Sequence, residues 1–272
     1  GVKKLPSRGS LGRLGSEELS YEVGKILGYE LKLFGFNMNF APVLDINSNP
    51  QNPVIGERAF GSDKELVSKL GIQTMKGIQS QGIISVVKHF PGHGDTSVDS
   101  HVGLPRVDHG LERLREFELV PFAKAIESGA DAVMVAHILF PQIDPENPST
   151  LSKAIITDIL KGEMGFEGVV ITDDMTMGAI MENYSIGEAV VKSILAGSDL
   201  ILVCHGHENG LQAITAIREA VEEGAISEDR IDESVYKILK LKKKYNLSDQ
   251  PVEKPDIQKL NKMIEETLGM AS

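Results

Sequence analysis

The 272-residue sequence has one cysteine, Cys204, and no tryptophan, and only 5% of its residues are aromatic. A single cysteine excludes an internal disulfide framework and a cysteine-based zinc site. So few aromatic side chains leave little that can stack on nucleic-acid bases. The sequence also has no apolar run near the roughly 20 residues that span a bilayer. We therefore expect neither a disulfide scaffold, nor a stacking-based reader of bases, nor a membrane-spanning protein.

Basic residues are outnumbered, because 28 Lys and Arg face 39 Asp and Glu and the formal net charge is −11. Nucleic acids and anionic membranes both require clustered cations, so we expect neither as a partner. What is present is an ordinary globular composition, with 41% hydrophobic and 25% charged residues. This composition and length fit one large domain or two small ones.

Short β-rich apolar runs alternate with longer amphipathic stretches, which is typical of βα units around a parallel sheet. Strands are predicted at residues 39–44, 83–88, 132–137, 168–172 and 199–204. Helices are predicted at residues 16–34, 64–80, 110–128, 152–164, 186–196, 208–223 and 227–245. Residues 1–250 are interpreted as one domain and residues 251–272 as a C-terminal tail or linker. Five strands fit an open doubly wound sheet, whereas a (β/α)8 barrel needs eight, so periodicity alone slightly favours the open sheet.

Ionisable side chains follow every predicted strand. In chain order they are Asp45, then Lys88 and His89, then His137, then Asp173 and Asp174, then His205 and His207. The carboxyl ends of parallel strands lie at one edge of the sheet, which is where α/β proteins bind ligands. We expect an active site on this rim.

The run KHFPGHGDTSVDSHVGLP, residues 88–105, places three histidines, two aspartates and a lysine in a glycine-rich loop after a strand. One interpretation is a metal site with His89, His93 and His101 as ligands, but no helical H-x-x-x-H or carboxylate frame supports it. A phosphate cradle fits neither the P-loop nor the G-x-G-x-x-G pattern. The third interpretation is acid–base chemistry, in which the Asp99 carboxylate orients the His101 imidazole two residues later.

The run GVVITDDMTM, residues 168–177, delivers two adjacent carboxylates to the same rim. Neighbouring residues of a strand face opposite sides, so we expect only one of Asp173 and Asp174 to face the pocket. The other should cap the turn after the strand. A carboxylate in the pocket can act as a nucleophile in glycosyl transfer or as a metal ligand.

Together these runs resemble the family 3 glycoside hydrolases, and specifically their β-N-acetylglucosaminidase branch. Further segments match that branch in the same order: FAPVLD at 40–45, IGERAF at 55–60, AHI at 136–138 and TLS at 150–152. The Asp-Ser-His at 99–101 is the most specific part of the likeness. The resemblance implies a (β/α)8 TIM-type barrel, of which about five βα units are visible in this chain. The three N-terminal units, with an Asp-x-Glu-Gly-Gly-Arg-like sugar-binding stretch, are not recognised, and residues 5–7 resemble the segment that comes directly after that stretch in the family.

The resemblance also implies a retaining double displacement. Asp173 matches the nucleophile, His101 the acid/base and Asp99 its partner. Arg58, Lys88 and His89 match residues that hold the sugar hydroxyls, while His93 and His137 are further substrate-binding candidates on the rim. No metal or cofactor is implied. We interpret Asp45, Asp174, His205 and His207 as structural or peripheral, and His109 and Cys204 as without a role.

The expected function is therefore an exo-acting β-N-acetylglucosaminidase that removes GlcNAc from peptidoglycan-derived muropeptides through a covalent glycosyl–aspartate intermediate. A phosphorylase using the same site and a catalytically silent sugar-binding fragment are the alternatives. A five-strand sheet has two open edges, so we expect either dimerisation or an additional N-terminal segment to complete it. One cysteine fits the cytoplasm, although secreted and lipid-anchored forms also occur among the relatives that the resemblance implies.

Overall fold

A computed structural model describes residues 1–270 as a curled parallel sheet with helices packed against it. The strands are β1 (Met38–Asn39), β2 (Ile84–Phe90), β3 (Ala132–Val135), β4 (Val169–Asp174) and β5 (Leu200–Leu202). The α-helices are α1 (Arg8–Leu14), α2 (Glu17–Leu33), α3 (Lys64–Ser80), α4 (Leu111–Glu116), α5 (Val120–Glu127), α6 (Gly178–Met181), α7 (Ile186–Ala196), α8 (His207–Glu222), α9 (Glu228–Lys244) and α10 (Ile257–Gly269). The chain also forms two short 3₁₀ turns, at Gly56–Arg58 and Ser149–Leu151, and a π-type helix at Ala154–Glu163.

The strands lie side by side in sequence order, β1-β2-β3-β4-β5, and all neighbouring pairs are parallel. A doubly wound sheet reverses its strand order at a switch point, and no reversal occurs within the described sheet. The open doubly wound sheet that periodicity alone favoured is therefore wrong. The observed order is that of consecutive βα units in a barrel, here with five of the eight strands that closure needs.

Alternate residues of each strand contact different layers, as the two-residue period of a strand requires. One face carries Val87, Val133, Val135 and Val170, which pack with Phe122, Ile155 and other helix residues in the largest buried cluster. The opposite, concave face carries Ile84, Val86, Ala132, Met134, Val169 and Ile171, which pack together and against Leu241 of α9. The strands are therefore apolar on both faces, and their polar residues gather at the ends.

The helix boundaries follow side-chain caps. The Ser16 hydroxyl accepts from the Leu19 N–H at 3.1 Å at the start of α2, and Asp63 caps α3 through the Leu66 N–H at 2.8 Å. Each such cap satisfies a backbone donor that the first turn leaves free, which typically stabilises a helix by about 1 kcal/mol. The helix predicted at 64–80 has the same bounds in the structure. The cap predicted at Ser16 is also present.

Two predicted elements are interrupted in the structure. The single helix predicted at 110–128 is two helices, α4 and α5, with Pro121 in the first turn of the second. Proline lacks the N–H that a continuous helix would bond to the Phe117 carbonyl, whereas the missing donor is tolerated in a first turn, so a new helix begins at Val120. The strand predicted at 39–44 pairs at Met38–Asn39 and again as a bridge between Val43 and Lys88. Pro42 lies between the two pairings and cannot donate to the ladder.

Residues 251–272, interpreted from the sequence as a tail or linker, contain α10 within their described part. Leu260 and Ile264 of this helix are fully buried against Ile26 of α2. The Asp256 carboxylate caps it by accepting from the Lys259 N–H at 2.9 Å. The C-terminal segment is thus packed on the same body as α2, and Ala271 and Ser272 lie outside the described residues. No helix of residues 1–270 is both long and apolar enough to cross a bilayer.

Candidate active site

Strand β4 ends in Asp173 and Asp174, and their carboxylates face different ways as expected. Asp174 accepts from the Thr176 N–H at 3.0 Å, the Thr176 hydroxyl at 2.6 Å and the Cys204 N–H at 2.9 Å. It therefore caps the turn after the strand and ties it to the end of β5. Asp173 continues the alternation of Val169 and Ile171 on the concave face, which leaves it as the carboxylate on the site side.

The Asp173 carboxylate is held in its ionised form. Burial alone would raise its pKa, but attraction to His89 and to the Lys88 ammonium, with the Asp174 N–H bond, lowers the pKa below the usual aspartate range. The pKa of the Lys88 ammonium is also lowered, because burial and the neighbouring Arg58 outweigh the attraction of Asp173, which raises it. An ionised carboxylate next to a cation, at a strand end, has the character required of a nucleophile.

Asp45 organises the neighbouring end of β2. Its fully buried carboxylate contacts Nδ1 of His89 at 2.6 Å and accepts from the His93 main-chain N–H at 2.7 Å. Arg58 lies 3.3 Å from Nε2 of His89. A guanidinium only donates, so Nε2 accepts from Arg58 and Nδ1 donates to Asp45. The predicted sugar-binding residues Arg58, Lys88 and His89 are therefore together, and Asp45, interpreted as structural or peripheral, orients one of them.

A cavity of about 650 Å³ opens beside these residues, lined by Arg8, Phe40, Val54, Arg58 and Lys88 among others. Lys88 Nζ lies 5.9 Å from the centre of the Phe40 ring, a cation–π distance. An apolar ring beside multi-donor side chains is a suitable wall for a sugar, which has apolar faces and hydroxyl edges. A second cavity, of about 670 Å³, lies at the opposite ends of the strands. Its buried Asp131 is already paired with Lys244, so we place the site at the first.

The loop after β2 is folded tightly at its base. The His93 ring is buried, with Nδ1 at 2.7 Å from the Thr96 hydroxyl and Nε2 at 3.2 Å from the Ser100 hydroxyl. A Cβ on Gly94 would lie 1.7 Å from the Ile46 carbonyl oxygen, so only glycine permits this approach. These contacts fix the start of the loop against the chain that follows β1.

The predicted Asp99–His101 pair is formed near the tip of that loop. Oδ1 of Asp99 lies 2.7 Å from Nδ1 of His101 and accepts the His101 main-chain N–H at 2.9 Å. These bonds, led by the main-chain one, lower the pKa of the Asp99 carboxyl although burial opposes them. An ionised Asp99 leaves Nδ1 as the donor and presents Nε2 outward, with 65% of the His101 side chain exposed. The pair thus has the geometry of an oriented acid/base.

Two predicted substrate-binding residues have no ring nitrogen left for a sugar. His93 uses both of its ring nitrogens on hydroxyls within the loop. His137 is fully buried, with Nδ1 at 2.7 Å from the Thr150 hydroxyl and Nε2 at 2.9 Å from the Asp174 carbonyl oxygen. We therefore correct both assignments. His93 supports the loop, and His137 supports the strand end that carries Asp173.

Comparison with known proteins identifies the family. The family model described as "Glycosyl hydrolase family 3 N terminal domain" matches residues 1–241. The chain belongs to glycoside hydrolase family 3. It is 36% identical over 241 residues to a β-hexosaminidase A from Pseudoalteromonas piscicida, covering 82% of this chain and 40% of that protein.

Solved family 3 structures agree with this fold. A β-N-acetylglucosaminidase from Paenibacillus sp. str. FPU-7 is 47% identical, with a TM-score of 0.91, over 98% of this chain and 52% of that chain. A β-glucoside phosphorylase is 26% identical, with a TM-score of 0.90, over 98% of this chain and 50% of that chain. The present chain spans about half the length of these relatives.

One polar pair in this family 3 chain was not predicted to matter. His109, which we interpreted as without a role, has Nε2 at 2.7 Å from Asp95, and Asp95 also accepts from the Ser48 hydroxyl at 3.0 Å. The 14-residue separation of the pair gives no local pattern that could reveal it. Among residues 1–270, no group of three or more His, Cys, Asp or Glu side chains is arranged to hold a metal ion. The interpretation of His89, His93 and His101 as metal ligands therefore has no geometric support.

The buried histidines predict a loss of stability in mild acid. Burial lowers the pKa of both His93 and His137 below the usual 6.5. In the folded state these rings stay neutral at a pH where the unfolded chain already binds protons. The free energy of unfolding should therefore fall as pH drops through about 6.5, by up to about 1.4 kcal/mol per pH unit for each ring.

Urea unfolding at about pH 7.5 and about pH 5.5 measures this effect, because the pKa values of Asp45, Asp99, Asp173 and Asp174 are lowered and these groups stay ionised at both pH values. The variant His93→Gln should show a smaller difference between the two pH values than the unmodified chain. A free energy of unfolding that is flat across this interval would contradict the prediction.

Proposed function

We propose that this chain is the catalytic domain of a retaining exo-β-N-acetylglucosaminidase, in which Asp173 is the nucleophile and His101 the acid/base. The observation that carries the proposal is the joint presence of an ionised carboxylate at the end of β4 and an aspartate-oriented imidazole on the adjacent loop. The likeness to a family 3 β-N-acetylglucosaminidase at 47% identity supports the choice of sugar.

In the first step, a carboxylate oxygen of Asp173 attacks the anomeric carbon and the bond to the glycosidic oxygen breaks. His101 gives the Nε2 proton to that leaving oxygen, and a glycosyl ester with Asp173 remains. In the second step, water attacks the same carbon, its proton passes to Nε2 of His101, and the Asp173 carboxylate leaves. Asp99 keeps the proton on Nδ1 through both steps, because their hydrogen bond occupies that nitrogen. The His101 ring therefore alternates between the imidazolium, which donates from Nε2, and the neutral form, whose Nε2 accepts the proton of water.

The natural substrate we propose is a GlcNAc-bearing peptidoglycan fragment, processed in the cytoplasm. The substrate proposal rests on the likeness of the 88–105 loop to the branch of family 3 that acts on such fragments. Arg58 and Lys88 would receive the hydroxyls of the terminal GlcNAc, and their place on the wall of one cavity supports this role. His89, whose ring nitrogens contact Asp45 and Arg58, would hold the Arg58 guanidinium in position.

The direct test is release of nitrophenol from an aryl β-N-acetylglucosaminide by this chain, with the aryl β-glucoside measured alongside. We expect turnover of the first and at least about tenfold less of the second, since an acetamido group supplies polar contacts that a hydroxyl lacks. Binding of GlcNAc without nitrophenol release would contradict the proposal and would favour the silent sugar-binding alternative.

A phosphorylase is the second candidate, favoured by the 26% identity to a β-glucoside phosphorylase. Phosphate would replace water in the second step, and its oxygen would form the new bond to the anomeric carbon. A histidine in place of a second carboxylate repels an anionic acceptor less, so the Asp99–His101 pair is compatible with either reaction. Turnover that rises with added phosphate, with glycosyl phosphate as product, would select this candidate; turnover independent of phosphate would remove it.

A further inference from the structure

The loop that carries His101 is attached at its tip to the segment that follows Asp173. The Gly178 N–H donates to the His101 carbonyl at 3.3 Å, and the Ala179 N–H donates to the Ser100 carbonyl at 3.1 Å. Within the described residues, these are the main-chain hydrogen bonds that join residues 97–103 to another segment. The remaining ones at the tip run from Val102 and Gly103 back to Asp99. The two segments thus meet through their backbones.

Gly178 has no room for a side chain at this contact. A Cβ there would lie 2.8 Å from the His101 carbonyl oxygen and 3.0 Å from that of Val102. Both neighbours are backbone atoms, which cannot move aside by changing a rotamer. Gly178 does not adopt a left-handed conformation, so the glycine is needed for the close approach and not for its φ angle.

The contact between Gly178 and the His101 carbonyl connects Asp173 to His101 through a short stretch of backbone. Gly178 follows Asp173 by five residues, and Asp174 fixes the intervening turn through both its bonds to Thr176. On the other side, the His101 carbonyl belongs to the residue whose ring is held by Asp99. Elsewhere at the tip, the Ser100 hydroxyl contacts the His93 ring, whereas 71% of Val102 is exposed.

We propose that Gly178 is a positioning residue for proton transfer: by admitting the loop backbone into contact, it places the His101 ring relative to Asp173. This proposal rests on the proposed glycosidase function. An alanine at 178 would push the loop away by several tenths of an ångström. Since a misplacement of about 1 Å can cost about 10²-fold in rate, we expect a loss of about tenfold in the step that needs His101.

The test compares Gly178→Ala with Gly210→Ala, a helical glycine of α8 at which an added Cβ would have no heavy atom within 4 Å. Two β-N-acetylglucosaminides are used, one with a dinitrophenyl leaving group and one with an alkyl leaving group. The first leaves without protonation, so kcat/KM for it does not depend on the acid. Gly178→Ala should lower kcat/KM about tenfold for the alkyl glycoside and less than about twofold for the dinitrophenyl glycoside. Gly210→Ala should change neither by more than about twofold.

Hydrogen exchange of residues 93–105 supplies a measurement independent of activity. We expect faster exchange across this loop in Gly178→Ala and unchanged exchange in Gly210→Ala. Equal losses on both glycosides, or unchanged loop exchange in Gly178→Ala, would overturn the proposal. If the unmodified chain hydrolyses neither glycoside, the proposed function fails, and the exchange result alone decides whether Gly178 holds the loop.

Discussion

Replacing Asp173 with asparagine should abolish turnover of an aryl β-N-acetylglucosaminide, with a loss on the order of 10⁴-fold or more. Asparagine keeps the shape of the side chain but removes the negative charge that attacks the anomeric carbon. The pKa of Asp173 lies below the usual range, so the carboxylate is ionised throughout the neutral pH region and the loss should not depend on pH there. Nitrophenol release gives the rate, and intact-protein mass spectrometry during turnover should show a glycosyl adduct only with Asp173 present.

Asp174→Asn is the matched control, because it makes the same chemical change one residue along the same strand. Asn retains an oxygen that can accept from the Thr176 and Cys204 N–H groups, which Asp174 now satisfies. We expect it to lose less than about tenfold in turnover, through small shifts in the turn. A larger loss of turnover in Asp174→Asn than in Asp173→Asn would assign the nucleophile to Asp174. Near-normal turnover in Asp173→Asn would refute a glycosyl intermediate on Asp173.

Much of the fold could be predicted because the physical signals are local. Alternation of apolar runs and amphipathic stretches located the strands, and Ser16 marked the start of a helix through a cap that spans three residues. The interruptions of two predicted elements also had local causes, since Pro42 and Pro121 interrupt hydrogen bonding where they lie. The strand order was different in kind. Strand order depends on which edge of the sheet each new strand joins, and the hydrophobic periodicity of the sequence does not encode that choice.

The candidate site divides in the same way. The Asp99–His101 pair spans two residues, and the opposed faces of Asp173 and Asp174 follow from the pleat of a strand, so both could be predicted. His137 could not be interpreted correctly, because its partners Thr150 and the Asp174 carbonyl are 13 and 37 residues away. The same holds for Asp45, which reaches His89 across 44 residues. The tertiary structure decides which ring nitrogen of a histidine is free to bind a ligand. The sequence shows only that a histidine is present.

Replacing His101 with alanine should separate substrates by their leaving groups. General acid catalysis typically contributes about 10²- to 10⁴-fold, and an alkyl glycoside needs all of it because its leaving oxygen is strongly basic. A dinitrophenolate leaves without a proton, so kcat/KM for that glycoside should fall by less than about tenfold. Its kcat should still drop, because His101 is also the base that activates water in the second step. Azide, which attacks without losing a proton, should restore kcat and give a glycosyl azide.

The control for this prediction is His109→Ala, which removes the histidine of another Asp–His pair, the one that Asp95 of the same loop forms. That ring anchors Asp95 at the base of the loop, so its loss should lower the rate by a similar factor for both leaving groups and should not respond to azide. A His101→Ala variant with equal losses on the two glycosides would behave like this control. Such a result would reduce His101 to a structural residue of the loop and would leave the proton donor to be found elsewhere on the rim. A large difference between the leaving groups, rescued by azide in His101→Ala alone, would require a proton donor at this position that acts in both steps.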